Sequence, residues 1–443
     1  MTIFKSSDIR GRYPGEINET FALRLGYSLR SALQCDDAQS RRIAVGRDAR
    51  DSSPQLAQAI MQGIEDSGLV AVDIGCCATE MLYFTVFNWQ FAGGVMVTAS
   101  HNPYGYNGFK VVGQKAIPHI LKSSDIVADD AMARQSGSRE ELDPSTEYRQ
   151  LVYSFCPGLD TGKKPLIACD PGIGSAGDIL RTLDRCNLHM VPPLEEGTLT
   201  DAAYNPLLSD RRTHTSRAVI DAGADFGVAF DGDGDRCIFF DEHGEYIEPY
   251  YIVGLLAEHV LIRWPGSTVV HDTRLLWNTR HIVEKHGGTA LPCKGGHAHF
   301  KFMMAKTGAA FGGEASGHYF FRDFGNCDSG IIPMVMVAAL VQETGKPLSS
   351  MVRNARRRFV CTDEISLPLN NPEKVLQRVE EILAPSALNV DHLDGVSMEF
   401  EQWRMCLRKS GTESVVRLNL ESRNGKEGLQ LAMDTVLPLL KPE

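Results

Sequence analysis

The chain is 443 residues long, with 43% hydrophobic, 23% charged and 8% aromatic residues. That is the profile of a globular protein of about three domains and excludes a wholly disordered chain, a collagen or a pure coiled coil. Lys and Arg number 45 against 56 Asp and Glu, a net charge of −11, so the bulk field excludes a typical nucleic-acid binder and any anionic ligand needs a local cationic pocket.

In chain order, Met1-Thr2-Ile3-Phe4-Lys5 carries no apolar run of the kind that opens a secretory leader. Ile43-Ala44-Val45-Gly46 reads as a buried strand, and Ser52 or Ser53 before Pro54 as a helix start. Leu56, Ile60 and Ile64 then mark one face of that helix. Leu69-Val70-Ala71-Val72-Asp73-Ile74 and Gly94-Val95-Met96-Val97-Thr98 are further strands, and strand–helix–strand repetition implies parallel packing. Residues 133–146 are polar and read as surface helix and linker.

A second α/β block opens with the strand Pro165-Leu166-Ile167-Ala168-Cys169-Asp170, whose Pro171-Gly172-Ile173-Gly174-Ser175 continuation starts a helix. It closes with Phe226-Gly227-Val228-Ala229-Phe230 and Cys237-Ile238-Phe239-Phe240. A third block opens with an apolar helix around 251–256, contains the strand Thr268-Val269-Val270-His271, and ends in Arg356-Arg357-Arg358, read as a solvated helix end. Its apolar stretch at about 330–341 is too short to span a bilayer. From about 360, helical spacing of Val375, Val379 and Ile382, strand-like runs at 396–400, 403–407 and 415–420, and a terminal helix over 428–440 indicate a smaller α+β domain. The 11 cysteines are scattered without a CxxC pair, as expected of reduced thiols in a cytoplasmic protein.

Four loops carry candidate chemistry. Thr98-Ala99-Ser100-His101-Asn102-Pro103 follows a strand, which presents a hydroxyl at the ligand edge of an α/β sheet, as nucleophile or phosphate carrier; taken in isolation, the motif reads first as a polar turn. Asp231-Gly232-Asp233-Gly234-Asp235-Arg236 places carboxylates at alternate positions between apolar runs. They repel one another without a cation, and oxygen ligands suit Mg²⁺ or Ca²⁺. An EF-hand is disfavoured because its sixth place, which requires Gly, is Arg236. Gly312-Gly313-Glu314-Ala315-Ser316-Gly317-His318 offers groups that could hydrogen-bond vicinal sugar hydroxyls, or it is an ordinary glycine-rich turn. Arg408-Lys409-Ser410-Gly411-Thr412-Glu413-Ser414 is either a phosphate cradle or a basic hairpin turn. Arg10, Lys110 and His297 are secondary candidates; Lys110 follows a glycine turn ten residues after Ser100 and could share its site as an acid or base.

In this order and spacing the four loops resemble the α-D-phosphohexomutase family over essentially the whole chain, and within it the bacterial phosphomannomutase branch. The resemblance implies an α/β fold: three similar α/β domains with mixed sheets plus a smaller C-terminal α+β domain around one central cleft. The corresponding spans are 1–145, 146–246, 247–358 and 359–443. It implies a phosphoserine at Ser100, and Mg²⁺ bound by Asp231, Asp233, Asp235 and a phosphoserine oxygen. Arg10, His101, Lys110 and Arg236 would line the reaction centre. Glu314 and Ser316 would hold O3 and O4 of the sugar, His297 and His318 would contact ligand, and Arg408, Ser410, Gly411 and Thr412 would grip the idle phosphate. A hexose 1,6-bisphosphate would be intermediate and activator, and the product would feed GDP-mannose and polysaccharide synthesis. The expected partner is a phosphorylated hexose, with no nucleic acid and no membrane, for a cytoplasmic monomer or dimer.

The pattern has departures. Ser7 stands where an aromatic is usual, Ala315 where phosphomannomutases commonly have Met, and the fourth loop looks like the phosphoglucosamine mutase version. Against that version stand Thr98 and Ala315, where it has Ser and Gln. A Ser-based metallophosphatase would need a His–Asp ligand cluster that the sequence does not display, and a calcium-binding non-enzyme lacks the sixth-place Gly.

Overall fold

Alternation of apolar strands with helices buries one layer against the next. The computed structural model describes residues 3–5, 7–35, 41–128, 132–160, 162–193, 204–368, 371–409 and 415–440. They form two compact units, Met1–Tyr246 with His318–Leu348, and Ile247–Gly317 with Ser349–Glu443.

The first unit begins with a six-stranded sheet in the order Ile9–Arg12, Tyr106–Gly113, Gly93–Val97, Arg42–Arg47, Val70–Cys76, Ser138–Glu141. The expected parallel pairing holds for Arg42–Arg47 with both neighbours, while Tyr106–Gly113 pairs antiparallel to Gly93–Val97 and to Ile9–Arg12. The helix starting at Pro54 spans Ser53–Asp66 and buries Leu56, Ile60 and Ile64. It crosses the helix Glu19–Ala32 at glycines: a Cβ on Gly63 would meet Leu23 O at 2.0 Å, so only glycine permits that approach. The polar stretch read as surface helix and linker is corrected: Ser138–Glu141 is an edge strand parallel to Val70–Cys76. All its side chains are exposed, so no apolar alternation marks it and backbone pairing alone holds it.

A second sheet in this unit places Cys237–Phe240, Phe226–Phe230, Leu166–Asp170 and Asn187–Met190 side by side. The helix expected after Pro171 is a short one, Gly177–Arg181, reached through turns. The unit also holds the antiparallel pair Tyr319–Phe321 and Cys327–Asp328, followed by the helix Ile331–Thr344. Ten of that helix's residues, from Ile331 to Val341, are buried, which is why it is apolar all round.

In the second unit, Thr289–Cys293, Thr268–Asp272 and Phe311–Gly313 pair in parallel beside the helix Pro249–Arg263. The C-terminal part is an antiparallel sheet built on Val396–Glu399, Trp403–Lys409 and Val415–Ser422. Helices Pro372–Leu383 and Gly425–Val436 cover it, sharing a core of Val379, Leu383, Met398, Met405, Leu418, Ala432 and Val436. In the basic run at 356–358, Arg356 pairs with Glu248 at 3.1 Å. Of the cysteines, eight are buried, two are half-buried and Cys76 is exposed.

Candidate active site

The first unit gathers nine of the candidate residues. Strand Gly93–Val97 delivers the turn at 98–103, where Ser100 adopts φ 49°, the left-handed region that L residues seldom occupy. Its N–H donates to Thr98 Oγ1 at 2.8 Å, and its carbonyl accepts from Arg50 Nη2 at 2.8 Å. Ser100 Oγ donates to Asp231 Oδ2 at 3.1 Å, lies 3.3 Å from His101 Nδ1, and accepts from Arg236 Nη2 at 3.4 Å. Arg10 binds the same loop, donating to Asn102 Oδ1 at 2.7 Å and to Ala99 O at 3.3 Å. Burial, then the charges of Arg236 and Arg10, hold His101 well below the usual imidazole range, so its ring is neutral.

The acidic loop is the hairpin between strands Phe226–Phe230 and Cys237–Phe240, in register Phe230 to Cys237. Asp231, Asp233 and Asp235 are each 0% exposed, so water does not solvate their charges. Arg236 Nε donates to Asp231 Oδ2 at 2.9 Å. Lys110 Nζ pairs with Asp233 Oδ2 at 2.7 Å and with Asp235 Oδ2. Thr79 adds a side-chain bond to Asp233 Oδ2 at 2.7 Å and a backbone bond to Asp233 O at 2.8 Å. Burial pushes the Asp231 carboxyl up to about 7 despite Arg236. Burial also opposes charge on Asp235, but Lys110, His318 and Arg236 together outweigh it and hold that carboxyl below the usual range. His318 Nε2 lies 3.8 Å from Asp235 Oδ1.

These residues fit a divalent cation. The three aspartates offer oxygens within 4.8 Å of one another, and Asp233 Oδ1 and Asp235 Oδ1 are buried with no hydrogen-bond partner among the described residues. Oxygen donors left unsatisfied in a buried site suit a hard metal. Asp235, His318 and Asp328 form an adjoining set of the same compactness, which corrects the expectation of no His–Asp cluster: its members are distant in the chain and only the fold brings them together.

The second unit holds the remaining described candidates. Glu314, 3% exposed, accepts from Gly296 N at 2.7 Å and from Arg274 Nη2 at 3.0 Å. Gly296 precedes His297, the first residue of the helix His297–Thr307. Ser316 lies in the turn after strand Phe311–Gly313. Arg408, near the end of strand Trp403–Lys409, donates to Glu364 Oε2 at 2.6 Å, and Arg274 Nη1 lies 3.7 Å from the same oxygen. One chain of ion pairs therefore runs from Glu314 through Arg274 and Glu364 to Arg408. Ser410, Gly411 and Thr412 lie outside the described residues.

Arg50, Thr79, Asp328, Arg274 and Glu364 were not among the candidates read from the sequence. A signal existed for Arg50. Asp48-Ala49-Arg50 follows a strand at the sheet's carboxyl edge, where polar residues serve ligands. Glu364 sits in an exposed connection with no local cue.

A serine presented at a strand's carboxyl end against a buried triple-aspartate hairpin, on repeated α/β sheets, defines a phosphoryl-transfer enzyme of the phosphohexomutase class. The chain matches the phosphoglucomutase/phosphomannomutase α/β/α domains I, II and III over residues 1–136, 150–244 and 248–359, and the family's C-terminal domain over 364–437. It belongs to the phosphoglucomutase/phosphomannomutase family. Among its relatives, it is 39% identical over 459 residues to a phosphomannomutase of Escherichia coli (strain K12), with 99% of each chain covered. It is 40% identical over 448 residues, again 99% of each, to a protein named phosphohexose mutases from Xanthomonas campestris pv. campestris (strain B100). A solved phosphoglucomutase/phosphomannomutase family protein from Burkholderia thailandensis superposes with a TM-score of 0.81 at 26% identity, covering 99% of both chains. The Paramecium phosphoglucomutase pp63/parafusin superposes with a TM-score of 0.75 over 97% of this chain and 94% of that one; at 14% identity it bears on the fold alone.

Proposed function

We infer that this chain is a phosphomannomutase, interconverting mannose 6-phosphate and mannose 1-phosphate through a phosphoserine at Ser100 and a hexose 1,6-bisphosphate. The observation that carries the reading is Ser100 Oγ set against Asp231, Arg236 and His101, in a chain 39% identical end to end to a phosphomannomutase.

In the forward half-reaction O1 of mannose 6-phosphate attacks the phosphorus of phosphorylated Ser100. The bond from phosphorus to Ser100 Oγ breaks, the proton of the O1 hydroxyl passes to a neighbouring base, and the leaving Ser100 Oγ takes up a proton to become the free hydroxyl. His318 and His101 are the candidates for that transfer; Lys110, ion-paired with Asp233 and Asp235, is held protonated and accepts no proton. The bisphosphate turns end over end and returns its 6-phosphoryl group to Ser100 Oγ. Arg10, Arg236 and Lys110 supply positive charge around the transferring group, and positioning does the rest. Mg²⁺ would be held by Asp231, Asp233, Asp235 and an oxygen of the phosphorylated Ser100, and when bound supplies Lewis-acid neutralisation of the phosphoryl charge. Glu314 and Ser316 take the sugar's O3 and O4, His297 and His318 contact ligand, and Arg408, Ser410, Gly411 and Thr412 hold whichever phosphate is idle. These roles divide among four domains over 1–145, 146–246, 247–358 and 359–443. The bisphosphate doubles as activator, restoring enzyme that has lost its phosphate.

The enzyme acts in the cytoplasm as a monomer or dimer; no helix among the described residues is long and apolar enough to cross a membrane. Because mannose and glucose share O3 and O4, glucose phosphates are turned over too, at a kcat/KM lower by about 10- to 200-fold.

The test is a mutase assay with intact-mass analysis. Wild-type protein should carry a phosphorylated fraction that Ser100→Ala abolishes along with turnover, and chelation should stop turnover until Mg²⁺ is restored. A phosphate mapped to another residue, or full activity of Ser100→Ala, would falsify the reading.

A further inference from the structure

Arg50 holds the Ser100 loop from behind and has nothing left to offer a ligand. It lies beyond strand Arg42–Arg47 and is 5% exposed. Nη2 donates to Ser100 O at 2.8 Å and Asn102 O at 2.7 Å, and Nη1 to Pro103 O at 3.0 Å and Tyr106 O at 3.1 Å. Nε donates to Asp48 Oδ2 at 3.1 Å. A guanidinium has five N–H donors, and all five are spent on these partners. Its face lies over the ring of Tyr204, with 4.1 Å to the centroid.

The anchor beneath Arg50 is itself tied down. Asp48 Oδ1 accepts from Arg50 N at 3.1 Å and from Ser53 Oγ, and Ser53 Oγ accepts from Asn107 Nδ2 at 3.0 Å. Asp48 is thereby fixed to the helix Ser53–Asp66 and the strand Tyr106–Gly113. Four carbonyls of the turn converge on this one buried cation. The Ser100 carbonyl is also confined by Gly232, on which a Cβ would come within 2.4 Å of it. Ser100 keeps a backbone angle of φ 49° that L residues seldom adopt, so the surrounding bonds must hold it there.

We propose that Arg50 is a positioning residue for phosphoryl transfer: it locks the backbone of the 98–106 turn so that Ser100 Oγ stays aimed at Asp231 and Arg236 in both half-reactions. Its five donors go to the turn and to Asp48, and none to Asp231, Asp233 or Asp235. This rests on Ser100 being the phosphoryl carrier. The charge alone is not enough, because an ammonium has three donors and no planar fork with which to bridge four carbonyls.

Arg50→Lys is the direct test, with kcat counted per folded molecule from near-UV circular dichroism. It should lower kcat roughly 100-fold, the cost of a small misplacement of the reacting atom. KM for mannose 1-phosphate and the half-saturating Mg²⁺ concentration should stay within about threefold. Single-turnover phosphorylation of Ser100 from mannose 1,6-bisphosphate should slow by the same factor as kcat. A wild-type kcat, or a fall in kcat that is matched by the loss of folded protein or by a parallel rise in KM, overturns the proposal. Should Arg50→Lys fail to fold, Asp48→Asn carries the test. It removes the ionised partner of Nε and leaves the four carbonyl bonds, so kcat should fall about three- to tenfold with KM unchanged; an unchanged kcat overturns the proposal. If Ser100→Ala is active, the carrier reading has failed. If Ser100→Ala is dead while Arg50→Lys is fully active, this inference alone has failed.

Discussion

Glu364 Oε2 accepts a hydrogen bond from Arg408 Nη2 at 2.6 Å, and its other oxygen lies 3.1 Å from Arg417 Nη1. The arginine proposed to grip the idle phosphate thus already has a carboxylate on it. Burial opposes charge on Glu364, but Arg274, Arg408 and Arg417 outweigh it and hold the carboxyl below the usual range, so it is ionised at neutral pH.

A phosphate must compete with that carboxylate for Arg408. Glu364→Gln should therefore lower KM for the sugar phosphate by about two- to fivefold, the worth of a partly exposed ion pair. Inorganic phosphate should inhibit the variant at correspondingly lower concentration. Steady-state kinetics with both ligands checks this; a raised KM would show that Glu364 orients Arg408 instead of competing for it.

The approach of Gly232 to Ser100 predicts a second effect. A Cβ at 232 would stand 2.4 Å from a backbone oxygen, which no side-chain rotation relieves. Gly232→Ala should cost about 1–3 kcal/mol of stability and, by displacing the serine, at least roughly tenfold in kcat. Gly15→Ala is the control, because a Cβ there meets nothing within 4 Å. Thermal melts and kcat of the two variants settle the comparison.

Glu80 gives a pH dependence of known sign. It is 0% exposed and accepts from Gly330 N at 3.1 Å, Ile331 N at 3.2 Å, Tyr148 OH and Ser329 Oγ. Burial pushes its carboxyl from the ordinary 4.5 up to about 8, with the hydrogen bonds offsetting part of the rise. Between those two values the native state holds a proton that the unfolded chain has released. Stability should therefore fall as pH rises through that window, by at most about 1.4 kcal/mol per pH unit, and show no Glu80 contribution to the slope on either side. Glu80→Gln should remove this component. Urea midpoints of both proteins at about pH 5, 6.5 and 8 provide the measurement; equal slopes in the two would refute the assignment.

The loops over 98–103 and 231–236 were readable because their candidate chemistry is contiguous. Three aspartates at alternate positions between apolar strands repel one another unless cations face them, a pattern visible within six residues, and the buried hairpin over 231–236 bears out its expected placement between two strands. The helix face of Leu56, Ile60 and Ile64 was likewise visible, since burial of a helix imposes its own period on the sequence.

Other features depend on partners distant in the chain or on groups without a side-chain code. Ser138–Glu141 is a strand with no apolar alternation, held through backbone pairing. Arg50 serves four main-chain carbonyls up to 56 residues away, and a carbonyl looks the same in every residue. Glu364 and Arg408 are 44 residues apart, and neither announces the other. Local composition and period thus determined which loops carry candidate chemistry and which helix faces turn inward. Only tertiary packing decided what holds those groups in place, because buried backbone acceptors and long-range ion pairs take their partners from whichever elements the fold brings within about 3 Å.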